Sequence, residues 1–457
     1  MLITRLIKDT VRHRLCPEVS MNKTLLSALL IGTCLGLLAQ ERPIAFTNAY
    51  IIPVEGTDLT KGTLLIKGGK IIALGSNVLI PAEADVKDMK GQILMPGIVD
   101  SHSHIGSGEG ADGSAPIQPE IRISDSINVE NTSIRRAQAG GLTTVNVMPG
   151  SGHLLSGQTV YLKLRSGHTI DELAFEKTAG GYLGGMKMAN GTNSRRSAGN
   201  FPGTRAKSAS LVREQFIKAQ AYQAKIKAAA GDASKMPARD LGMEALVEVL
   251  EGKRTVHHHT HRHDDIVTVL RLQKEFGFKV VLHHVSEAWA VADQIKAGGQ
   301  NVIGASIIVV DSPGGKLETK EVRFSNGASL EQAGVLTGFH TDDPITDSRW
   351  FLRAGALAVR YGMSRQEALK AMTLNNAKLL GLDQRVGSLV VGKDADLVVL
   401  SGDPFSVYSK VQETWIEGRR VFNRLDPSDR KFATGGIGAA IDTVNHDALL
   451  EDESEDL

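Results

Sequence analysis

The sequence predicts a parallel α/β fold: a TIM-type (β/α)8 barrel with a small composite β-sandwich domain formed from both chain ends. Short apolar runs alternate with helical stretches from residue 96 to residue 381, which is typical of parallel α/β folds and fits the length of a closed barrel. Strand-like alternation flanks this region at 43–95 and 386–423. Histidines cluster after the apolar runs, where a barrel presents its active-site side chains.

The flanking segments and the barrel segment each contain recognisable elements. Alternating runs predict strands at 44–46, 49–52, 64–66 and 71–74, then at 388–391, 396–400, 414–416 and 420–422. Within the barrel segment, apolar runs at 143–147, 280–282, 301–304 and 335–339 predict buried strands. A capping box from Ser364 to Glu367 predicts the start of the last barrel helix, and Gly381 its end.

Two segments stand outside this plan. Residues 191–240 form a mostly basic insertion with a helical stretch at about 208–230, which we expect to be solvated and packed over the barrel mouth, or to act as a lid that contacts substrate. The tail, 424–457, ends in an almost entirely acidic run at 451–457 that predicts disorder.

The N-terminus, 1–40, predicts a secretory leader. Lys23 precedes an apolar run at 24–39 and a polar switch at Gln40, which is the pattern of a signal peptide. The run is shorter than the roughly 20 residues that span a bilayer, so we expect an exported mature chain, periplasmic or secreted, without a membrane span. Both cysteines, Cys16 and Cys34, lie in this leader, which leaves the mature chain without disulfides or zinc thiolates. Lipid anchoring at Cys34 is an open alternative.

Composition narrows the choice of partners. The 457-residue chain is 42% hydrophobic and carries a formal net charge of +1. That charge makes no electrostatic case for binding nucleic acid or an anionic membrane. The expected partner is therefore a small-molecule substrate. The sequence leaves open whether the chain forms a homo-oligomer.

Ten of the fourteen histidines fall in four short windows. In the first, His102 and His104 follow the run 95–101. Side chains two positions apart share a face of a strand, so both can reach one metal ion. The fourth window holds Asp342, just after an apolar run and before Pro344. A carboxylate there can bind a metal and also accept a proton from water.

The two middle windows leave choices open. Alternation places His257, His259, His261 and His263 on one face and His258 on the other, which is more histidines than one catalytic site uses. His283 and His284 are neighbours, so one is expected to face the barrel interior and one the helices. Periodicity does not say which.

The sequence resembles the amidohydrolase superfamily, most closely its imidazolonepropionase-related branch, over about 43–423. The motifs that carry the resemblance are Pro96-Gly97 with His102 and His104, the run 140–145, Thr341-Asp342-Asp343-Pro344, and the closing run 386–399. This closing run resembles the family's composite β domain. The resemblance implies His259 as the fifth-strand ligand, His284 as the sixth-strand histidine and Asp342 as the eighth-strand aspartate.

One position departs from many relatives that hold two metals. Those relatives bridge the ions with a carboxylated lysine on the fourth strand, and the comparable residue here is Lys187 in the segment 184–191. A bridging ligand, a substrate-binding lysine and a structural lysine are all compatible with this position.

The predicted chemistry is hydrolysis of a carbon–nitrogen bond by water activated by one or two divalent ions, zinc first. Asp342 would move the proton, and His284 would complete the metal shell or stabilise the oxyanion. His261, Arg262 and His263 are candidates for substrate recognition, since an arginine fork suits a carboxylate. The favoured substrate is a dipeptide-like, N-acyl or cyclic amide. Deamination of a nitrogen heterocycle and a non-catalytic metal-binding barrel are the alternatives.

Overall fold

The computed structural model describes residues 42–106, 108, 111–178, 181–308, 311 and 316–435. The expected leader, with Cys16 and Cys34, and the acidic run 451–457 lie outside the described residues. No helix in the described part of the chain is long and apolar enough to cross a membrane.

The described strands, in chain order, are β1 Ile44–Ile51, β2 Leu59–Lys67, β3 Lys70–Gly75, β4 Asp85–Asp88, β5 Ile93–Pro96, β6 Ile98–Ser103, β7 Leu142–Val147, β8 Leu155–Gln158, β9 Val160–Lys163, β10 Lys177–Thr178, β11 Gly181–Tyr182, β12 Met186–Ala189, β13 Val256–Thr260, β14 Val280–His284, β15 Val302–Ile308, β16 Thr337–His340, β17 Leu397–Leu400, β18 Val411–Ile416 and β19 Arg419–Asn423. The described α-helices are α1 Thr132–Ala139, α2 Ile170–Leu173, α3 Arg205–Ala229, α4 Leu241–Leu250, α5 His263–Phe276, α6 Ala292–Ala297, α7 Asn326–Gln332, α8 Leu352–Arg360, α9 Arg365–Ala371, α10 Leu374–Leu380 and α11 Pro427–Thr434.

One sheet combines strands from both ends of the described chain. Its order is β19-β18-β17-β5-β1-β2-β3, with β4 also paired to β1. Phe46 on β1 and Trp415 on β18 lie three strands apart in this order, yet their ring centroids are 5.2 Å apart. Neighbouring strands are about 4.8 Å apart, so a flat sheet would separate these rings much further. The sheet therefore curls around an apolar interior that includes Leu64 and Leu397.

The parallel strands form two further groups. β12 to β16 are parallel neighbours in chain order, with β8 antiparallel beside β12, and β6 pairs in parallel with β7. Beyond the ends of β16 and β6, Asp342 N donates to His102 O at 3.0 Å and His104 N donates to Asp343 O at 3.0 Å. Among the described residues no strand ladder joins β16 to β6, so the fold is mixed α/β and a closed barrel stays a prediction.

Close packing at the start of β6 explains why the Pro96-Gly97 motif has a glycine at position 97. A Cβ on Gly97 would lie 2.3 Å from Oγ1 and Cγ2 of Thr143 on β7. That distance is far below van der Waals contact, so only glycine fits where these two strands approach each other.

Two local expectations are corrected. Residues 388–391 form no strand: Leu389 is buried and its N–H donates to Pro53 O, while Val391 is 58% exposed. The predicted helix from Ser364 to Gly381 begins and ends as expected, with the Ser364 side chain accepting from Glu367 N. It is nevertheless split into α9 and α10, because Thr373 leaves the helical conformation.

The helix of the insertion, α3, packs on the outer layer of helices. Its Phe216 stacks on Phe276 at the end of α5 and on Phe278 just before β14, with ring centroids 5.0 and 5.1 Å apart. These contacts lie toward the amino-terminal edge of β14. The helical stretch thus packs through Val212 and Phe216 against other elements, and the expectation that residues 191–240 lie over the barrel mouth, or act as a lid, stays a prediction.

Candidate metal centre

Three donor atoms from opposite ends of the parallel strand set meet at the carboxyl edge. Nε2 of His102 and Nε2 of His104 are 3.2 Å apart, and Oδ1 of Asp342 lies 3.1 and 3.0 Å from them. Donor atoms around a tetrahedral zinc ion, with bonds of about 2.0–2.1 Å, lie roughly 3.3 Å apart. The spacing of this group therefore suits a small divalent cation.

The position of the proton on the His104 ring also favours a cation at this group. His104 Nδ1 lies 2.7 Å from the carbonyl oxygen of Met148, which can only accept, so Nδ1 carries the proton. In the neutral ring, Nε2 then presents a lone pair to the Asp342 carboxylate. Two acceptors this close repel each other unless a cation lies between them. The donor set thus fits a metal ion.

A second group lies beside the first. His259, His261 and His284 present ligand atoms within 4.8 Å of one another, and so do His102, His284 and His340. Burial, followed by neighbouring charges such as His261 and Lys316, lowers the pKa of His259 well below its usual value. Burial likewise lowers the pKa of His284 well below its usual value. Neutral imidazoles are the form that binds metal.

Several ring nitrogens in these groups have no hydrogen-bond partner among the residues that the structure describes. Both ring nitrogens of His259, Nε2 of His284 and Nδ1 of His102 are buried, and no described group hydrogen-bonds them. Buried polar atoms are almost always satisfied, so these nitrogens indicate a bound ion or ligand. His259 and His284 therefore lie where the family resemblance implies ligands, although their roles stay predictions.

His283 and His284 do not alternate as an ideal strand requires. Both rings pack against the His102 ring, with centroids 5.0 and 4.8 Å away, so the expectation of opposite faces is wrong. Register pairs His259 with His283, and Thr260 with His284. His284 has a φ of 67°, in the left-handed region, and this departure from strand geometry brings its side chain to the same side as His283.

Lys187 lies beside His102. Its side chain is fully buried on β12, and Nζ lies 3.1 Å from His102 Nε2 and 3.2 Å from Met148 Sδ. Burial, followed by the Lys187 charge, lowers the pKa of His102 well below its usual value. The structure thus places Lys187 at the candidate centre, and its role as a bridging ligand stays a prediction.

The three residues expected to recognise substrate lie in different settings. His261 is buried in the second group, and its Nδ1 lies 2.8 Å from Ser286 Oγ. The fork of Arg262 is occupied by Asp264, with Nε–Oδ1 and Nη2–Oδ2 distances of 3.0 and 2.9 Å. His263 Nδ1 lies 2.6 Å from Glu287 Oε2.

His340 was not predicted from the sequence to be a site residue. Its Nε2 lies 3.1 Å from His284 Nδ1, and its Nδ1 lies 2.8 Å from Ser306 Oγ, which contacts Ser101 Oγ at 2.7 Å. The signal was its place two residues before Asp342, which puts both on one face if the strand continues.

A second overlooked contact lies behind the centre. His257 Nδ1 lies 2.9 Å from His283 Nε2, and His257 Nε2 lies 2.9 Å from the Tyr161 hydroxyl. All three side chains are buried. Nothing in the local sequence around Tyr161 indicated this contact, because Tyr161 is 96 residues from His257 along the chain.

Comparison with known proteins agrees with this geometry. The amidohydrolase family matches residues 93–421. An amidohydrolase from Thermotoga maritima is 35% identical, with a TM-score of 0.78, and the match covers 83% of this chain and all of that one. An imidazolonepropionase from Sphingopyxis alaskensis is 25% identical over 80% of this chain and 94% of its own length.

A fungal relative is longer. Amidohydrolase tasK of Hapsidospora irregularis is 26% identical over 79% of this chain, and the match spans 40% of that protein's length. The family match covers most of the described residues, including the centre built from His102 to Asp342. The resemblance seen in the sequence is thus confirmed, and the chain belongs to the amidohydrolase family of enzymes.

Proposed function

We propose that the chain is a metal-dependent hydrolase that cleaves an amide bond in a dipeptide-like, N-acyl or cyclic amide substrate. The observation that carries the proposal is the meeting of His102, His104 and Asp342, whose donor atoms lie 3.0–3.2 Å apart. Both ring nitrogens of His259 and Nε2 of His284 are also buried, with no hydrogen-bond partner in the described part of the chain. Imidazole and carboxylate ligands suit zinc, with one or two ions.

Bound by these residues, a divalent ion would polarise the scissile carbonyl and lower the pKa of the attacking water. A side chain of the protein, that of Asp342, is proposed to transfer the proton. Oδ1 of Asp342 faces His102 and His104, which leaves Oδ2 as the proton acceptor. Burial acts to raise the pKa of Asp342, but the neighbouring His102 and His284 hold it well below its usual value. The carboxylate is therefore ionised, which is the form that can accept a proton.

The same carboxylate can return that proton to the leaving nitrogen, so that the amine departs neutral. His284 lies close to Asp342, with 3.9 Å between Nδ1 and Oδ2, while no described residue hydrogen-bonds its Nε2. His284 is thus proposed to complete the metal shell or to hydrogen-bond the carbonyl oxygen as charge develops on it, an effect typically worth ~2.7–4 kcal/mol.

A release assay tests this proposal. Purified protein is incubated with dipeptides, N-acyl amino acids, lactams and aminated heterocycles, and free ammonia is scored against new amine plus carboxylate. Amide cleavage produces amine and carboxylate, whereas ring deamination produces ammonia. The matched control is Asp342→Asn, prepared in parallel, which excludes a contaminating peptidase. Ammonia from aminated rings alone would replace the proposal by the deaminase, and no turnover of any compound would favour a metal-binding protein without activity.

The architecture and location proposed with this function have their own support. The hydrogen bond from Asp342 N to His102 O supports closure of the parallel strands into one barrel with the site at its carboxyl edge. The sheet shared by β1–β5 and β17–β19 supports a composite β domain. Export through the leader at 1–40 is proposed from the sequence alone, and N-terminal sequencing of the protein from a periplasmic fraction checks it: the mature chain should begin near residue 40.

A further inference from the structure

Two loops meet at the carboxyl edge beside the candidate metal centre. The first follows β7 and includes Met148, whose carbonyl accepts from His104 Nδ1. The second follows β12, and its Asn190 N donates to His259 O at 3.2 Å. Asn193 Nδ2 donates to Ser151 Oγ at 2.8 Å, which joins the two loops. A side chain held between them therefore lies at the rim of the centre.

Arg196 is such a side chain. Its Nη2 lies 3.4 Å from the position of a Cβ on Gly152, and its guanidinium lies 5.1 Å from the Phe201 ring centroid. Nη1 donates to the carbonyl oxygens of Asn193 and Arg195 at 2.6 and 2.9 Å. These contacts hold the guanidinium plane in place, and within the described part of the chain the Nη2 and Nε edge makes no hydrogen bond.

No carboxylate among the described residues pairs with Arg196. Asp112 lies beyond the His153 ring, where its backbone carbonyl contacts His153 Nε2 at 2.8 Å, and its carboxylate accepts from Ser114 N at 2.8 Å. Glu318, on the other side of the second loop, accepts from Thr192 N and Oγ1 at 2.8 and 2.9 Å. A half-buried arginine without a carboxylate partner is well suited to an incoming anion.

Buried polar atoms next to Arg196 also have no described partner. They are Asn193 Oδ1, Ser194 Oγ and His153 Nδ1, on side chains that are 3%, 0% and 7% exposed. Buried polar atoms rarely remain unsatisfied in native proteins, so these atoms indicate that a polar partner is missing beside Arg196. Arg262, the arginine predicted from the sequence to bind substrate, is less suited to an incoming anion, because Asp264 occupies its fork.

Building on the proposed amidase function, we infer that Arg196 binds a carboxylate of the substrate and that the substrates are amides carrying a free carboxylate. Nη2 and Nε of Arg196 donate to the carboxylate oxygens, and Asn193 and Ser194 hydrogen-bond polar groups beside it. The loop after β12, which carries Arg196, then determines the specificity for substrates with a free carboxylate.

Matched pairs of compounds test this inference. Dipeptides and N-acetyl amino acids are each compared with the same compound carrying a C-terminal carboxamide. Arg196→Met keeps the length of the side chain and its packing on Phe201 but removes the charge. The variant should lower kcat/KM for the free acids by about 10- to 100-fold, the usual value of a hydrogen bond to a charged group, and leave the carboxamides nearly unchanged. Arg196→Lys, which keeps the charge without the fork, should fall between the two.

The matched control is Arg213→Met, which removes an exposed arginine of α3 that pairs with Glu275. It should change neither substrate series. Equal loss for acids and carboxamides in Arg196→Met would mean that Arg196 only shapes its loop, and would overturn the inference. A wild-type protein that does not prefer acids over carboxamides would overturn it as well, while leaving the amidase function intact.

A binding measurement separates this inference from the proposed function. The same acids and carboxamides are titrated calorimetrically into the metal-loaded protein and into its Arg196→Met variant. Binding of acids that depends on Arg196, without turnover of any compound, would sink the amidase function and keep the carboxylate site. Absence of both binding and turnover for all acids would overturn the carboxylate site.

Discussion

Asp342 Oδ1 lies 3.0 Å from His104 Nε2, although the two residues are 238 positions apart in the chain. Backbone hydrogen bonds between the segment that follows β16 and the end of β6 hold this contact in place. Asp342 has a φ of 54° and His284 a φ of 67°. Non-glycine residues in this region typically cost about 1–3 kcal/mol and cluster at functional sites, so the fold sustains strain where these side chains converge.

The first prediction concerns metal content. The purified protein should contain at least one divalent transition-metal ion per chain, because two imidazoles and one carboxylate bring their donor atoms within 3.0–3.2 Å of one another. His104→Asn should lower that content and the activity, whereas His168→Asn, at an exposed histidine paired with Glu130, should lower neither. Elemental analysis measures the content. A metal-free protein whose activity ignores chelators would contradict the proposed centre.

The second prediction concerns Asp342 as the base. Asp342→Asn keeps the shape and one ligating oxygen but removes the basic carboxylate. Turnover should fall by about 10²–10⁴, the usual contribution of a general base, while metal content is largely retained. Steady-state kinetics with elemental analysis check both parts. Near-normal turnover would move the base to another group; neighbouring Asp343 is less suited, because its Oδ2 accepts from Ser348 N and Oγ.

The third prediction ranks His284 and His283. His284→Asn should impair metal binding and turnover more than His283→Asn, since His284 belongs to two of the three potential ligand groups in the described chain and His283 to none. His283 Nε2 is engaged with His257 Nδ1 at 2.9 Å, so His283 supports the centre from behind. Loss of such a supporting residue typically costs about 10–100-fold in metal affinity or activity. The reverse order, with His283→Asn the more damaging, would contradict this assignment.

The fourth prediction concerns the stability of the fold at acid pH, which depends on the ion pairs of Glu417 with Lys163 and Arg165, away from the metal centre. Burial acts to raise the pKa of Glu417, but Arg165 and Lys163 lower it to about 2. A carboxyl whose pKa is depressed on folding contributes stability above its unfolded pKa, here about 4.5, and loses it as the pH falls toward 2. Glu417→Gln should therefore lower the free energy of unfolding at pH 7 by up to about 3 kcal/mol, and the difference should vanish near pH 2.

Denaturant unfolding across this pH range measures the effect. Glu275→Gln, which removes an exposed ion pair with Arg213, is the control and should change stability by less than about 1 kcal/mol at any pH. A Glu417→Gln deficit that stays constant from pH 7 to pH 2 would show that the loss is one of packing and not of charge.

Sequence periodicity alone predicted the mixed α/β fold and most of its strands. β7, β14 and β16 begin and end within two residues of a predicted apolar run, and β15 begins within one residue of its run but extends four residues further, because burial on both faces requires continuous apolar side chains. The same logic placed His102, His104 and Asp342 at strand ends. Local pattern was sufficient there, because the relevant spacing is set by strand geometry.

Tertiary structure decided which of the neighbouring histidines converge. Strict alternation assigned only one of His283 and His284 to the interior, yet the left-handed backbone of His284 brings both rings to His102. It also placed His340 against His284 and filled the fork of Arg262 with Asp264. Periodicity describes an ideal strand taken alone. Departures from that ideal, and contacts between distant strands, arise from long-range packing that no local pattern of residues encodes.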